Sequence, residues 1–327
     1  MASLLGVLGF CAVTQANIVI DTVPVGNPGN PANTTSYCAV GYIYRMGTYE
    51  VTAGQYTEFL NAVAATDTYG LYNPIMDYDV NFSYWGCNIK RAGSSGAYSY
   101  SVPVDWVNRP VNFVSWGDAA RFANWMNNGQ PTGAQGPTTT EDGSYYLNGA
   151  TSNAALRTVA RKANATWVVP SEDEWYKAAY HKNDGVTANY FIYPTRSNSA
   201  PGNQVINPDP GNSANFFGGS TGFTIGPPYY RTEVGEFENS SSPYGTFDQG
   251  GNVWEWNEAV FFYGTWSRGL RGGSFITPGY GLLESYRYGE SPTNEQASFG
   301  FRLALVPEPA TLALLILGGL AILRWRR

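Results

Sequence analysis

The chain has 327 residues, a formal net charge of −6, 13% charged residues and 15% aromatic residues. A chain of this length can bury a large core. Its acidic balance argues against nucleic acid as a partner, because nucleic-acid binding requires a basic surface. The 38 glycines and 20 prolines indicate a fold with many loops.

The N-terminal residues 1–16 have the pattern of a signal peptide. Leu4 to Val13 is apolar, and Thr14-Gln15-Ala16 places a small residue at a cleavage position. We therefore predict that the protein is exported. The following residues, 17–40, include a Gly/Pro/Asn/Thr-rich stretch, and we predict that they form a flexible leader.

Removal of a signal peptide would leave two cysteines, Cys38 and Cys87. In an oxidising compartment such a pair is predicted to form one disulfide. Two buried free thiols are the alternative.

The folded domain is predicted to begin at residue 41, where the alternation through Gly41-Tyr42-Ile43-Tyr44 indicates a strand. Three helices follow, and each begins with a hydroxyl side chain three residues before an acceptor side chain. These pairs are Thr52/Gln55, Ser115/Asp118 (a shorter analogue of a capping box) and Ser171/Glu174. Apolar residues recur at helical spacing behind each pair, so each helix should pack one face on the core.

Two polar stretches, residues 129–153 and 197–221, show no periodicity and are predicted to be long surface loops. Near the C-terminus, residues 253–256 and 299–305 alternate and are predicted to be strands. Capped helices ahead of glycine-punctuated strands indicate an α+β domain.

Several sequence blocks stand in an order that resembles one protein family. They are Tyr49-Glu50-Val51-Thr52, Arg109-Pro110-Val111-Asn112, Val169-Pro170-Ser171-Glu172-Asp173-Glu174-Trp175, Gly251-Asn252-Val253-Trp254-Glu255-Trp256, Leu270-Arg271-Gly272-Gly273-Ser274-Phe275 and Gly300-Phe301-Arg302-Leu303. This series, over residues 41–305, resembles the formylglycine-generating enzymes, also called sulfatase-modifying factors. The resemblance implies a C-type-lectin-like α+β fold, with a few helices, irregular antiparallel sheet and long loops.

The resemblance also implies a copper(I) ion held by two cysteine thiolates shortly after the Gly-Gly-Ser block. In this chain Thr277 and a residue near Leu282 take those places, and no cysteine follows Cys87. Copper(I) selects sulfur ligands, so we expect no copper. A related iron-dependent enzyme uses several histidines, whereas this chain has only His181, so we expect no iron. His181 is interpreted as a helix-end residue, where a cation suits the dipole.

Structural calcium is a further implication of the resemblance. It would bind through Gly251, Val253 and Glu255, because oxygen ligands suit a hard cation. The alternative is that Glu255 only caps or pairs. Arg271 and Arg302, in the same blocks, are expected to hold buried carboxylates or carbonyls.

We therefore predict a non-catalytic binding or structural module for a polysaccharide or a surface protein. Trp266, Tyr280, Tyr286 and Arg287 are its candidate ligand surface, since aromatic rings stack on sugars and anchor partners. The alternative is an oxidoreductase-like enzyme of the same family with unrecognised chemistry.

The C-terminal residues 306–327 give the location. Pro307-Glu308-Pro309 precedes an uncharged run and an Arg-rich end, which resembles the PEP-CTERM sorting tail and implies processing by a membrane exosortase. Residues 310–323 would span roughly 21 Å as a helix, less than the roughly 30 Å of a bilayer core. We expect an envelope or matrix protein of a Gram-negative bacterium, membrane-anchored before tail removal; an ordinary C-terminal anchor is the alternative.

Overall fold

A computed structural model describes residues 17–34, 36–79 and 84–307. The predicted signal peptide, and the predicted sorting tail and membrane helix from Glu308 onward, lie outside these residues. Within the described residues, no helix is both long and apolar enough to cross a membrane.

Four α-helices and ten short strands make up the regular structure of the described residues. The helices are α1 (Ala53–Val63), α2 (Trp116–Asn127), α3 (Asn153–Thr158) and α4 (Glu172–Tyr180). The strands are β1 (Thr22–Val25), β2 (Tyr44–Gly47), β3 (Lys90–Ala92), β4 (Ser99–Ser101), β5 (Trp167–Val168), β6 (Trp254–Tyr263), β7 (Thr265–Arg271), β8 (Tyr288–Glu290), β9 (Phe299–Gly300) and β10 (Ala304–Leu305).

The strands form two four-stranded sheets and one separate hairpin. The first sheet has the order β1-β2-β10-β5, the second has the order β8-β7-β6-β9, and β3 pairs only with β4. All these pairings are antiparallel except that of β6 with β9. Short helices with small, irregular and mainly antiparallel sheets confirm the predicted α+β class.

Capping boxes fix the starts of α1, α2 and α4, as predicted. In each, the cap hydroxyl accepts from the backbone N–H three residues later, and that residue's side chain accepts from the cap N–H. Ser115 and Asp118, expected to be a shorter analogue, form a complete box, with 2.8 Å between the Ser115 nitrogen and Asp118 Oδ2. The core-facing sides of α1 and α2 meet through Phe59 and Phe122, whose ring centroids are 5.2 Å apart.

Residues 17–40 belong to the fold, so the prediction of a flexible leader is wrong. β1 pairs along its whole length with β2, with Val25 opposite Tyr44, and Val25 is fully buried. The composition of this stretch suggested a leader without structure. Pro24 is nevertheless compatible with β1, because β1 is an edge strand and the backbone N–H that proline lacks is not needed for pairing on the outer side of a sheet. The strand expected at residue 41 begins at Tyr44 instead.

The strand predicted at residues 299–305 is two strands in different sheets. β9 pairs with β6, whereas β10 pairs with β2 and β5. Between them lies Arg302, which is fully buried. Its guanidinium donates to both oxygens of Glu255 on β6 at 2.6 and 2.7 Å, and to the Gly47 carbonyl on β2 at 2.9 Å. One side chain therefore connects the two sheets.

Substitution of Glu255 by Gln is expected to lower the free energy of unfolding by about 3–5 kcal/mol, because it leaves a buried guanidinium without its counter-charge. Urea denaturation monitored by tryptophan fluorescence measures this change. Glu233→Gln is the matched control: Glu233 is half-exposed, and its carboxylate lies 3.9 Å from Arg109. That change should cost no more than about 1 kcal/mol. Equal losses in the two variants would contradict the prediction.

Candidate functional site

The region after β7 holds the two positions at which the resemblance places metal ligands. Gly272 and Gly273 both have positive φ, 97° and 79°. The chain turns there through a backbone conformation that residues other than glycine rarely adopt. A Cβ on Gly273 would lie 2.9 Å from Leu282 Cδ1, and one on Gly281 would lie 2.5 Å from Thr277 Cγ2. The glycines therefore let the segments that carry Thr277 and Leu282 come together.

Neither of these side chains offers a ligand for a soft metal. The Thr277 hydroxyl lies 2.8 Å from the Ser274 hydroxyl, and Leu282 is fully buried beside Ala214 and Phe216. A hydroxyl and a hydrocarbon do not fit copper(I), which prefers thiolates. Across the described ranges, no group of three or more His, Cys, Asp or Glu residues is placed to hold a metal ion.

Glu255 lies in the proposed calcium set, but its carboxylate is already fully used. Oε2 accepts from Trp175 Nε1 at 2.7 Å and from Arg302 Nε at 2.6 Å, and Oε1 accepts from Arg302 at 2.7 Å. A guanidinium thus occupies the position that a cation would need. Glu255 is therefore paired with Arg302, as in the alternative, and its carboxylate does not fit a calcium ligand. Calcium binding by the carbonyls of Gly251 and Val253 stays a prediction.

The predicted disulfide between Cys38 and Cys87 is not formed. Both thiols are free and buried; Cys38 packs with Trp175 and Tyr180, whereas Cys87 belongs to the main core. The prediction failed because a disulfide requires the two Cα atoms to be close in space, and the sequence does not reveal whether Cys38 and Cys87 are close. Burial raises the pKa of Cys38 to about 12 and also raises the pKa of Cys87, so neither is poised as a thiolate.

His181 caps the C-terminus of α4, but it is not the exposed cation that its position suggested. The imidazole is fully buried. Nδ1 lies 2.7 Å from the Tyr244 hydroxyl and accepts the Asn183 N–H at 3.1 Å, while Nε2 lies 3.1 Å from the Thr187 carbonyl. These partners fit the neutral ring with its proton on Nε2, and burial lowers the pKa of His181.

Arg287, a predicted ligand residue, is held by the protein itself. It donates to both oxygens of Glu172, at 2.8 and 2.5 Å, and its guanidinium carbon lies 3.3 Å from the centre of the Phe261 ring. Arg271 donates to the same carboxylate at 2.8 Å. Arg287 therefore holds Glu172 and Phe261 in place, and its charge is not free to bind a ligand. The expectation that Arg271 and Arg302 hold buried carboxylates is confirmed.

Residues 261–266 form the end of the β6–β7 hairpin. Phe262 and Trp266 face each other across it, with ring centroids 6.2 Å apart. They are 67% and 55% exposed, and Tyr263 beside them is 47% exposed. We call these three residues the hairpin surface. Phe262 and Tyr263 were missed individually, although the three consecutive aromatic residues at 261–263 were a visible signal.

A second set of rings leads to the hairpin surface. Tyr280 is 52% exposed and lies 5.2 Å from Tyr286, which lies 5.8 Å from Trp254. Tyr288 lies 5.5 Å from both Trp254 and Tyr263. We call this continuous series, from Tyr280 to Tyr263, the aromatic row. The aromatic row thus leads from Tyr280 and Tyr286 to Tyr263 on one face of the hairpin, while Phe262 and Trp266 lie on the other face.

The fold and these blocks define a lectin-like α+β domain of the sulfatase-modifying-factor type. The profile of the sulfatase-modifying factor enzyme 1-like domain matches residues 23–306, and the chain belongs to this family. The match begins within β1, in agreement with the place of that strand in the first sheet. No curated protein matches the sequence.

Solved structures with a similar backbone include Treponema denticola variable protein 1, with 17% identity, 90% of this chain and 98% of that chain covered, and a TM-score of 0.52. CarF is 20% identical, with 88% and 99% covered and a TM-score of 0.49. PvdO from Pseudomonas aeruginosa is 17% identical, with 88% and 92% covered and a TM-score of 0.46. At such identities, the likeness to the Treponema protein shows a shared fold alone.

The pKa of His181 is expected below the ordinary value of about 6.5, because burial disfavours the charged ring and the nearby Lys177 opposes a second positive charge. The chain has one histidine, so its ring-proton signals can be assigned without ambiguity in a proton NMR titration. Since the folded-state pKa is lowered, the ring's contribution to stability is complete above pH about 6.5 and falls as the pH drops through the lowered pKa. A ring that titrates at 6.5 or above would contradict the prediction.

Proposed function

We propose that this domain is a non-catalytic binding module for polysaccharide. The observation that supports the proposal is the aromatic row together with the hairpin surface. Phe262, Tyr263 and Trp266 stand at the end of a β-hairpin, and Tyr280 is exposed in a short 3₁₀ helix. Exposed rings that cluster in this way are a feature of interaction sites.

The site corresponding to the family's metal supports a role without catalysis. Thr277 and Leu282 come together there, but they supply a hydroxyl and a methyl-rich side chain in place of two thiolates. Such a site retains the shape of the scaffold and lacks the donors for soft-metal oxidation. No observation among the described residues favours the oxidoreductase alternative.

The chemistry of the surface favours sugars over a charged polymer. Sugar rings present C–H faces that stack on aromatic rings, while tyrosine hydroxyls hydrogen-bond to sugar hydroxyls. Arg287, whose guanidinium lies over Phe261, is tied up in an ion-pair cluster in which it shares Glu172 with Arg271. Successive ring centroids along the aromatic row lie 5.2 to 5.8 Å apart. Trp254 in the middle of the row is buried, so the rings open to a ligand are Tyr280 at one end and Tyr263 at the other.

Trp266→Ala and Tyr280→Ala are each expected to weaken polysaccharide binding about tenfold, which corresponds to about 1.4 kcal/mol, because each removes one exposed stacking ring. Binding is measured on a glycan array and then by surface plasmon resonance with the best glycan. Tyr84→Ala is the matched control, since Tyr84 is an exposed ring outside this surface. Wild-type protein that captures a surface protein and no glycan would favour the protein-ligand alternative and end this proposal.

Export and processing form the second part of the proposal. The resemblance of residues 306–327 to the sorting tail supports delivery to the envelope or matrix of a Gram-negative bacterium, with an exosortase as processing partner. The tail would anchor the protein in the membrane until it is removed.

Protein recovered from a host that has an exosortase is expected to lack the C-terminal arginines and the apolar run, because processing removes the tail after the Pro-Glu-Pro motif is recognised. Mass spectrometry of the mature C-terminus measures this. Replacement of Glu308 and Pro309 by alanine should retain Arg327, whereas replacement of Arg45, which lies on β2 far from the motif in sequence, should not. An intact Arg327 in the wild-type protein would contradict the prediction and favour a permanent anchor.

A further inference from the structure

Residues 146–160, which include α3, enclose an open cavity of about 590 Å³. This volume lies within the range of about 300–1,000 Å³ that is typical of small-molecule sites. We infer that this cavity is a second saccharide site, which takes an uncharged sugar unit. The inference rests on the proposed polysaccharide-binding function and names the charge class of its ligand.

The lining of the cavity carries no charged side chain. Its side-chain polar groups are a phenol, an amide and hydroxyls, from Tyr146, Asn148, Thr151, Ser152 and Thr158. Because the polar side chains of this open depression are themselves exposed, a charged ligand would keep much of its water but would gain no counter-charge. A uronic acid or a phosphate-bearing sugar is therefore disfavoured. A neutral polyol is favoured, because its hydroxyl groups can hydrogen-bond to the phenol, amide and hydroxyl groups of the lining.

These polar groups are available to a ligand. Tyr146 is 61% exposed, and within the described part of the chain the side chains of Tyr146, Asn148 and Thr151 make no hydrogen bond. The Ser152 hydroxyl accepts from the Ala155 N–H at 3.2 Å, which leaves its proton free to donate outward. A ring for stacking and several hydrogen-bonding groups thus converge on one cavity.

The wall of the cavity is held in place before any ligand arrives. Asn148 and Gly149 both have positive φ, 46° and 78°, in a tight turn. The Gly149 N–H donates to Glu141 at 2.7 Å, and Glu141 is itself held by the buried Arg121 at 2.7 Å. Such rigidity reduces the entropy lost when a ligand binds.

The cavity and the Phe262–Trp266 pair of the hairpin surface lie on the same face of the β6–β7 sheet, whereas Tyr263 lies on the other face. Arg268 donates to the carbonyls of Leu156 and Val159 at the end of α3, at 2.8 and 2.5 Å. Trp266 lies two residues earlier on β7, and alternate residues of a strand share a face. A polymer stacked on Trp266 can therefore extend toward the cavity.

The test uses the whole protein with neutral dextran and neutral mannan as probes, and with anionic alginate for comparison, by surface plasmon resonance. Tyr146→Ala is expected to weaken binding of a neutral glycan about tenfold, and Asn148→Ala and Thr151→Ala several-fold each. Tyr84→Ala and Ser94→Ala, exposed positions outside the cavity, serve as matched controls and should change nothing. Raising the salt from 0.05 to 0.5 M is expected to change the affinity less than about twofold, because no ionic contact is involved.

Three results would overturn the inference. If Trp266→Ala weakens binding but Tyr146→Ala, Asn148→Ala and Thr151→Ala do not, the cavity is not a sugar site, although the proposed function survives. Binding confined to alginate, and lost at high salt, would contradict the neutral ligand class. A wild-type protein that binds none of the three polymers, nor any glycan of the array, would end both proposals together.

Discussion

The ion pair between Arg302 and Glu255 is the constraint on which the rest of the structure depends. It lies where no water reaches either side chain, so its charges are tolerated only because every partner is in place. Glu255 also accepts from Trp175 of α4, while Arg302 donates to the carbonyls of Thr48 and Phe247. These contacts join both sheets and α4 at one point. The turn that carries Gly272 and Gly273 starts one residue after the strand pair of Glu255 and Arg271, so its position follows from the same pair.

The surroundings of this pair are acidic, and their protonation differs from that of exposed carboxylates. Burial and the nearby Asp248 raise the pKa of Glu50 well above its usual range, and burial raises the pKa of Asp248 to about 6. Neither oxygen of Glu50 has a hydrogen-bond partner among the described residues. Because Arg302 is already neutralised by Glu255, a protonated Glu50 avoids a second buried negative charge.

Sequence patterns predicted what depends on local spacing. The three capping boxes and the α+β class follow from residues three or four positions apart. The failures share another cause, since each depended on distant residues. Arg287 looked free because Glu172 lies 115 positions away, and burial of His181 by Tyr244 comes from a segment 63 positions later. The cavity at residues 146–160 gave no signal, because tyrosine, threonine and asparagine in a polar stretch are also typical of an ordinary surface loop.

The position of β10 determines when the domain can be completed. This strand comes last among the described strands, yet it lies in the interior of the first sheet, between β2 and β5. Neither neighbour can make its full set of backbone hydrogen bonds until residue 305 has arrived. In a chain that emerges N-terminus first from a ribosome or a translocation pore, β1 and β2 therefore remain without β10 until most of the chain has emerged. Pairing of strands so distant in sequence is slow, as is typical of folds with high contact order. Completion of the first sheet thus depends on delivery of β10, the last described strand.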